Sequence, residues 1–383
     1  MTNHSHKKSK YDFIFNSFEI AFCGYSNSGK TTLISKLIKE LKNDYKIAYI
    51  KHDAHRFDID HDGKDTNIMY SSGAETVFIN DKEHNAIITK GEVDKFNISH
   101  IMSKFDFAFV EGYKNSPIPK IVLIDENKEI LEKIKDNSLE NVIAFVGGAD
   151  FSPEELNSIF DNNNSKIQYF NRNDISSIKS FILELFNQKI NKIPLYGLLL
   201  TGGKSSRMGH DKSKINYHGE PQFKYYYNLL NRYCEKTFLS CRDEQSSEFD
   251  LPTITDKFID IGPMGGILSA LTNYKNTAFF VLACDLPYVN DKTVENLISQ
   301  RNPYKVATSY KNSDGLPEPL CSIYEPKSKL KLFEFLALNY SCPRKVLINS
   351  ETKLIEQLSN NELDNINYPE EYEKVKEEFK SKV

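Results

Sequence analysis

Gly24-Tyr25-Ser26-Asn27-Ser28-Gly29-Lys30-Thr31 stands between an apolar run at residues 18–23 and a series, Leu33, Ile34, Leu37, Ile38 and Leu41, at helical spacing. A GxxxxGK[ST] loop between a strand and a helix is the context in which backbone N–H groups converge on phosphate oxygens. Lys30 is then expected to neutralise the outer phosphates of a nucleoside triphosphate, with the Thr31 hydroxyl on Mg²⁺. Gly24, Ser28, Gly29, Lys30, Thr31 and Thr32 form the candidate nucleotide-binding set. The motif also needs an acid at the end of a neighbouring strand. Asp106-Phe107-Ala108-Phe109-Val110-Glu111-Gly112 supplies two, with Glu111 the expected metal ligand and Asp106 the capping acid.

A second glycine-rich loop, Thr201-Gly202-Gly203-Lys204-Ser205-Ser206-Arg207-Met208-Gly209-His210-Asp211-Lys212, follows the apolar run 196–200. It is not a P-loop. Gly202 and Gly203 permit close backbone approach to phosphates, and Arg207 and Lys212 bring fixed charge to a triphosphate whose pyrophosphate must leave. Asp256-Lys257-Phe258-Ile259-Asp260-Ile261-Gly262-Pro263-Met264-Gly265-Gly266 is expected to follow another strand and make a second close-approach turn. Asp285 ends the most apolar run, residues 278–284. A carboxylate there either caps a turn or ligates Mg²⁺ bridging phosphate oxygens, and the nearby glycine loop favours the metal. Lys212, Arg207 and Asp285 are the candidate catalytic residues. No Ser/His/Asp or Cys/His arrangement is required, because an acceptor phosphate can itself be the nucleophile.

Size and charge bound the reading. The 383 residues suit two domains. A formal net charge of -4 gives no broad basic field for nucleic acid or anionic membrane. Six cysteines without CxxC spacing read as small core side chains rather than a disulfide framework or zinc site. No apolar run approaches a membrane span, and a soluble cytoplasmic protein is expected.

Along the chain, strand-like runs at 47–50, 107–110, 121–124 and 142–146 alternate with helical patterns, closing with Ile175, Ile178, Ile182, Leu185 and Phe186. Residues 1–16 are expected to be a disordered tail, 17–190 the first domain, and 194–383 the second, joined at residues 188–194. The second half repeats the alternation, with strand-like runs at 237–240, 278–284, 306–310 and 320–324 and a helix opening at Pro221. The fold class is α/β: an N-terminal P-loop NTPase domain and a C-terminal Rossmann-like nucleotidyltransferase domain, each mostly parallel. Residues 51–65, dense in His and Asp, read as a switch segment sensing the γ-phosphate, a metal site, or a hydrated loop.

GYSNSGKTTL, KHDAHRFDIDHDGKDT, SSGAETV and FVEGYK, over residues 17–190, resemble the molybdopterin-guanine dinucleotide biosynthesis adaptor family MobB. That resemblance implies GTP binding, weak hydrolysis, a role assisting cofactor assembly, and a homodimer through this domain. The chain has no N/TKxD guanine-reading motif, so GTP here rests on resemblance. LLLTGGKSSRMGHDKSKI, DIGPMGGILSAL, FVLACDLPYV and NINYPEEY, over 194–383, resemble the molybdenum cofactor guanylyltransferases, MobA. That second resemblance implies transfer of GMP from Mg-GTP to the terminal phosphate of molybdopterin or Mo-molybdopterin. By position it assigns Leu200, Thr201, Gly202, Gly203, Lys212, Asp256, Gly262 and Pro263 to GTP and Asp285 to Mg²⁺. Asn365 and Asn367 match a tail motif on the pterin side, or else a turn and cap before the helix at Pro369. Thr201 stands where the family usually has Ala. Implied partners are GTP, molybdopterin, molybdenum insertion proteins and acceptor molybdoenzymes.

Alternatives stay open at this point. A cytidylyltransferase of the same pathway would read Ala-Gly where Gly202-Gly203 stands and would lack GPxxG. A sugar-phosphate nucleotidyltransferase shares the fold alone. A GTP-regulated delivery module with an inactive transferase half would not need Lys212 and Asp285.

Overall fold

The computed structural model describes residues 15–52, 61–91, 95–135, 139–148, 167–201, 215–366 and 369–380. The chain falls into two compact units, residues 1–183 and 184–383, the division lying inside the helix Ile175–Ile190 and ahead of the 188–194 joint.

Unit one has strands β1 (Glu19–Cys23), β2 (Ile47–Lys51), β3 (Thr76–Asn80), β4 (Asn85–Thr89), β5 (Phe107–Glu111), β6 (Lys120–Leu123), β7 (Val142–Gly147) and β8 (Gln168–Asn171). Six of them make one sheet in the order β2-β5-β1-β6-β7-β8, parallel throughout. Central strands β1 and β5 are buried at every position, as an unbroken apolar run covered on both faces requires. Helix α1 (Lys30–Leu41) turns Leu33, Ile34, Leu37 and Leu41 inward, the periodicity seen in the sequence. Lys120 looks out of place at 0% exposure, but its ammonium donates to the carbonyls of Ser116, Ile118 and Glu140. That satisfied charge is structural.

Phe15 and Asn16, assigned above to a disordered tail, belong instead to the folded unit. Phe15 is 1% exposed and packs edge-on to Tyr113, while both backbone N–H groups donate to Glu19 Oε2. The Asn16 amide donates to the carbonyls of Met102 and Phe105. Residues 1–10 are polar, but Phe15 closes the short apolar run Phe13-Ile14-Phe15, too brief to show a periodicity.

Strands β3 and β4 form a separate antiparallel hairpin, which the sequence reading did not contain. Phe78 and Ile87 face each other across it and are 59% and 58% exposed. Helix α2 (Asp65–Ser71) buries none of its residues and leaves Ile68 and Met69 exposed.

Unit two has β9 (Leu195–Leu200), β10 (Lys236–Cys241), β11 (Thr253–Thr255), β12 (Ala278–Ala283), β13 (Ala307–Lys311), β14 (Pro317–Tyr324) and β15 (Thr352–Ile355) in the order β11-β10-β9-β12-β14-β13-β15. Strands β9 to β12 run parallel, β14 is antiparallel to both β12 and β13, and β15 is parallel to β13. The stretch 256–266 follows β11 and turns through residues 257–262, as expected, and its last residues begin the helix Pro263–Asn273, with Gly262 at the N-cap and φ 62°. Pro at the first helical position suits that start. The close approach is between helix and sheet: a Cβ on Gly265 would collide with the Phe258 carbonyl, and one on Gly266 with Ser240 Oγ. Near the C-terminal helix Pro369–Lys380, Tyr217, Ile366, Tyr372, Val375 and Phe379 cluster. The six cysteines are free, five buried and Cys342 exposed.

Candidate nucleotide sites

In unit one the loop leaves β1 and enters α1 through Gly29, whose φ of 87° is left-handed. That conformation favours glycine. Asn27 adopts φ 61°, which its short polar side chain tolerates. Gly24 is required by contact rather than by φ: a Cβ there would stand 2.6 Å from Ser28 Oγ and 2.9 Å from the Leu123 carbonyl. Ser28 is itself buried. Lys30 Nζ donates to the carbonyls of Tyr25 at 2.7 Å and Gly24 at 3.3 Å, so the ammonium is folded back over the loop. Burial lowers its proton affinity, and Glu111 partly restores it.

Strand register places Glu111 beside Phe22 at the end of the sheet's central pair. Glu111 is 6% exposed, and its carboxylate accepts from Thr31 Oγ1 at 3.0 and 3.2 Å and from the Tyr49 hydroxyl at 2.7 Å. The Tyr49 distance comes from a neighbouring strand, β2. The Tyr49 phenol is pushed up first by burial and then by this bond to Glu111. Asp106 binds elsewhere, its carboxylate accepting from the Lys46 N–H at the entry to β2. The structure therefore brings Thr31 and Glu111 together. Tyr49 was missed, because an exposed tyrosine on an edge strand carries no spacing signal. Residues 53–60 of the His- and Asp-rich segment lie outside the described residues.

Cys23 at the base of this loop is no nucleophile. Burial pushes its thiol up to about 11, and Sγ donates to the Gly112 carbonyl.

In unit two the candidate residues gather where parallel strands β9 to β12 end, the usual place for a ligand in such sheets. Thr201, just past β9, is 7% exposed and donates through both N–H (3.1 Å) and hydroxyl (2.8 Å) to the Ser240 carbonyl on β10. The polar replacement for Ala is thus satisfied. Asp256, just past β11, accepts from Ser240 Oγ at 2.8 Å. Burial raises its proton affinity, with Ser240 and Arg242 opposing. Asp285 lies two residues past β12, and its carbonyl accepts from the Ile366 N–H at 3.0 Å. That bond fixes the tail segment against the metal-candidate acid. Asn365 is exposed beside it. Gly202, Gly203, Arg207, Lys212 and Asn367 lie outside the described residues.

Two residues not anticipated from sequence complete this end of the sheet. Glu318, 4% exposed, accepts from Arg344 Nη2 at 2.7 Å while Arg344 Nε donates to the Pro317 carbonyl at 3.1 Å. Burial raises the Glu318 proton affinity, Arg344 lowers it, and Asp285 adds a smaller rise through its charge. An ion pair separated by this much chain leaves no local pattern.

Among the described residues no group of three or more His, Cys, Asp or Glu could hold a metal ion. Each site instead offers single carboxylate or hydroxyl oxygens. Such a donor set suits Mg²⁺, which takes most of its ligands from phosphate and water. No helix among the described residues is long and apolar enough to cross a membrane.

Comparison with known proteins gives a match for each unit. Residues 19–148 match the family model described as molybdopterin guanine dinucleotide synthesis protein B, and residues 197–352 the MobA-like NTP transferase domain. A molybdenum cofactor biosynthesis bifunctional protein of Synechocystis is 43% identical over 190 residues, 49% of this chain and 55% of that one. The chain thus spans little more than half of that relative. A probable molybdenum cofactor guanylyltransferase of Clostridium perfringens is 33% identical over 41% of this chain and 73% of its own length. A molybdopterin-guanine dinucleotide biosynthesis adapter protein of Haemophilus influenzae is 39% identical over 27% of this chain and 61% of its own.

Proposed function

Because the chain belongs to the molybdenum cofactor guanylyltransferase family and carries a MobB-type domain ahead of its MobA-like one, we propose that its second unit transfers GMP from GTP to the terminal phosphate of molybdopterin. A phosphate oxygen of the pterin attacks the α-phosphorus of GTP. The bond from that phosphorus to its bridging oxygen breaks, and pyrophosphate leaves with the electron pair. The chain's own work is alignment and charge stabilisation. The observation that carries this reading is the meeting of Thr201, Ser240, Asp256 and Asp285 at four adjacent strand ends, with Ile366 bonded to the Asp285 carbonyl. The segment ahead of the helix at Pro369 is thereby anchored beside one of the strand-end acids.

Asp285 would hold Mg²⁺ in this unit, and Thr31 with Glu111 would hold it in the first, where the ion neutralises phosphate charge. By resemblance Gly202, Gly203, Arg207, Lys212, Gly262 and Pro263 bind GTP, and Asn365 with Asn367 face the pterin. The first unit binds GTP through Gly24, Ser28, Gly29, Lys30, Thr31 and Thr32, hydrolyses it slowly, and assists delivery to molybdenum insertion proteins and acceptor molybdoenzymes. It also pairs with a second copy. The exposed Phe78, Ile79 and Ile87 on a lone two-stranded hairpin support that pairing, since such a hairpin is marginal in water alone.

Incubation of the full chain with Mg-GTP and molybdopterin, followed by mass analysis of the pterin, tests the chemistry. A gain of one GMP is expected. An unmodified pterin, or clear preference for CTP over GTP, would refute the assignment.

A further inference from the structure

We infer that Ser240 is a positioning residue that fixes two nucleotide-contacting elements in one geometry, the Asp256 carboxylate and the entry to the glycine loop at Thr201. This rests on the guanylyl-transfer reading above and adds a residue that neither the glycine loop nor the acid motifs contain.

Ser240 sits in β10 between β9 and β11, in register with Leu200 on one side and Ile254 on the other, and is 2% exposed. Its two polar ends face different tasks. The carbonyl accepts both the Thr201 N–H at 3.1 Å and the Thr201 hydroxyl at 2.8 Å. The side-chain hydroxyl donates to Asp256 Oδ1 at 2.8 Å. Among the described residues this is the Asp256 carboxylate's hydrogen bond, which leaves Oδ2 for a donor on the ligand.

The hydroxyl is also confined. Gly266 packs directly on Ser240 Oγ, so closely that any Cβ at 266 would collide with it. A hydroxyl has one proton to give, and confinement aims it at the carboxylate. A serine serving only the fold could close onto a carbonyl of its own strand. Here it crosses instead to an acid at a strand end.

The charges around Asp256 leave Ser240 a distinct part. Burial raises the proton affinity of Asp256, and Ser240 is the first group opposing that rise, ahead of the Arg242 guanidinium. Arg242 is shared with Asp260 at 3.5 Å and Glu244 at 4.0 Å. Cys241, between them in sequence, has its thiol pushed up to about 11, first by burial and then by Asp256, Asp243, Glu248 and Glu244, so it stays neutral.

Ser240→Ala removes the donor and adds no bulk. KM for GTP is expected to rise about tenfold with kcat changed less than about twofold. The acid limb of kcat/KM for GTP should move to higher pH, because Asp256 loses the donor that opposes burial. Thr201→Val removes the hydroxyl bond to the Ser240 carbonyl alone, so it should raise KM while leaving that limb in place. The inference is overturned by an unmoved limb or unchanged KM in Ser240→Ala of wild-type melting temperature, or by a limb that moves equally in Thr201→Val. Absence of guanylylated pterin from the wild-type protein would sink the transfer reading separately. Ser240 is then judged by GTP affinity in a Lys30→Ala background, where Ser240→Ala should weaken binding about tenfold. Unchanged affinity there also overturns it.

Discussion

The two nucleotide loops differ in how far along the chain their parts are gathered. In the first unit Gly24, Ser28, Lys30 and Thr31 are neighbours in sequence, and among the described residues Glu111 and Tyr49 join them from other strands. In the second, Thr201, Ser240, Asp256, Asp285 and Ile366 arrive from four strand ends and the tail. Yet both hold an acid with a hydroxyl from the adjacent strand: Tyr49 on Glu111, and Ser240 on Asp256. The first design concentrates its information in one short motif. The second spreads it through the sheet, where register rather than spacing decides which residues meet.

The largest expected effect falls on the dispersed site. Asp285→Ala should reduce pyrophosphate release by about a thousandfold or more, since charge stabilisation at a transferring phosphoryl group is worth several powers of ten. Its melting temperature should match wild type, because the contact to Ile366 is made by the backbone carbonyl and survives the substitution. Turnover within a few-fold of wild type would remove Asp285 from the chemistry and leave the second unit without a metal-holding acid to match Glu111.

Lys30→Ala sharpens the comparison from the other side. The ammonium that now donates to Gly24 and Tyr25 carbonyls is the loop's own cation. Its loss should weaken GTP binding to the first unit by about a hundredfold, as expected for a desolvated charge-assisted contact. Guanylyl transfer by the purified protein should be spared, while delivery of the product to an acceptor enzyme falls. If transfer itself disappeared, the units would share one reaction rather than divide two tasks.

How much could be read beforehand follows the same contrast. The P-loop, β1, α1 and the Glu111 strand were legible because apolar periodicity and a contiguous motif coincide there. The acids Asp256 and Asp285 were legible as strand-end carboxylates, with their roles supplied by resemblance. Tyr49, Ser240, Glu318 and Arg344 were not, since each matters through a contact between distant segments. The hairpin β3–β4 escaped because Phe78 and Ile79, adjacent and both exposed, break the in-out alternation that marks a half-buried strand. In the stretch 256–266 the turn after β11 was legible, but the helix that its last residues begin was not, because Gly265 and Gly266 serve a close approach of that helix to β10 and the Phe258 carbonyl.

The smallest effect tests the shared device itself. Tyr49→Phe keeps the ring on β2 and deletes only the donor to Glu111, whose carboxylate retains Thr31. One neutral-to-charged hydrogen bond at a half-exposed site is worth about 1 kcal/mol, so Mg²⁺-dependent GTP affinity of the first unit should fall about fivefold. Titration of nucleotide binding at several Mg²⁺ concentrations separates the possibilities. A loss that grows as Mg²⁺ is lowered marks Tyr49 as holding the acid for the ion. A loss independent of Mg²⁺ would mean that the phenol merely packs at the sheet edge, and the parallel with Ser240 would end there.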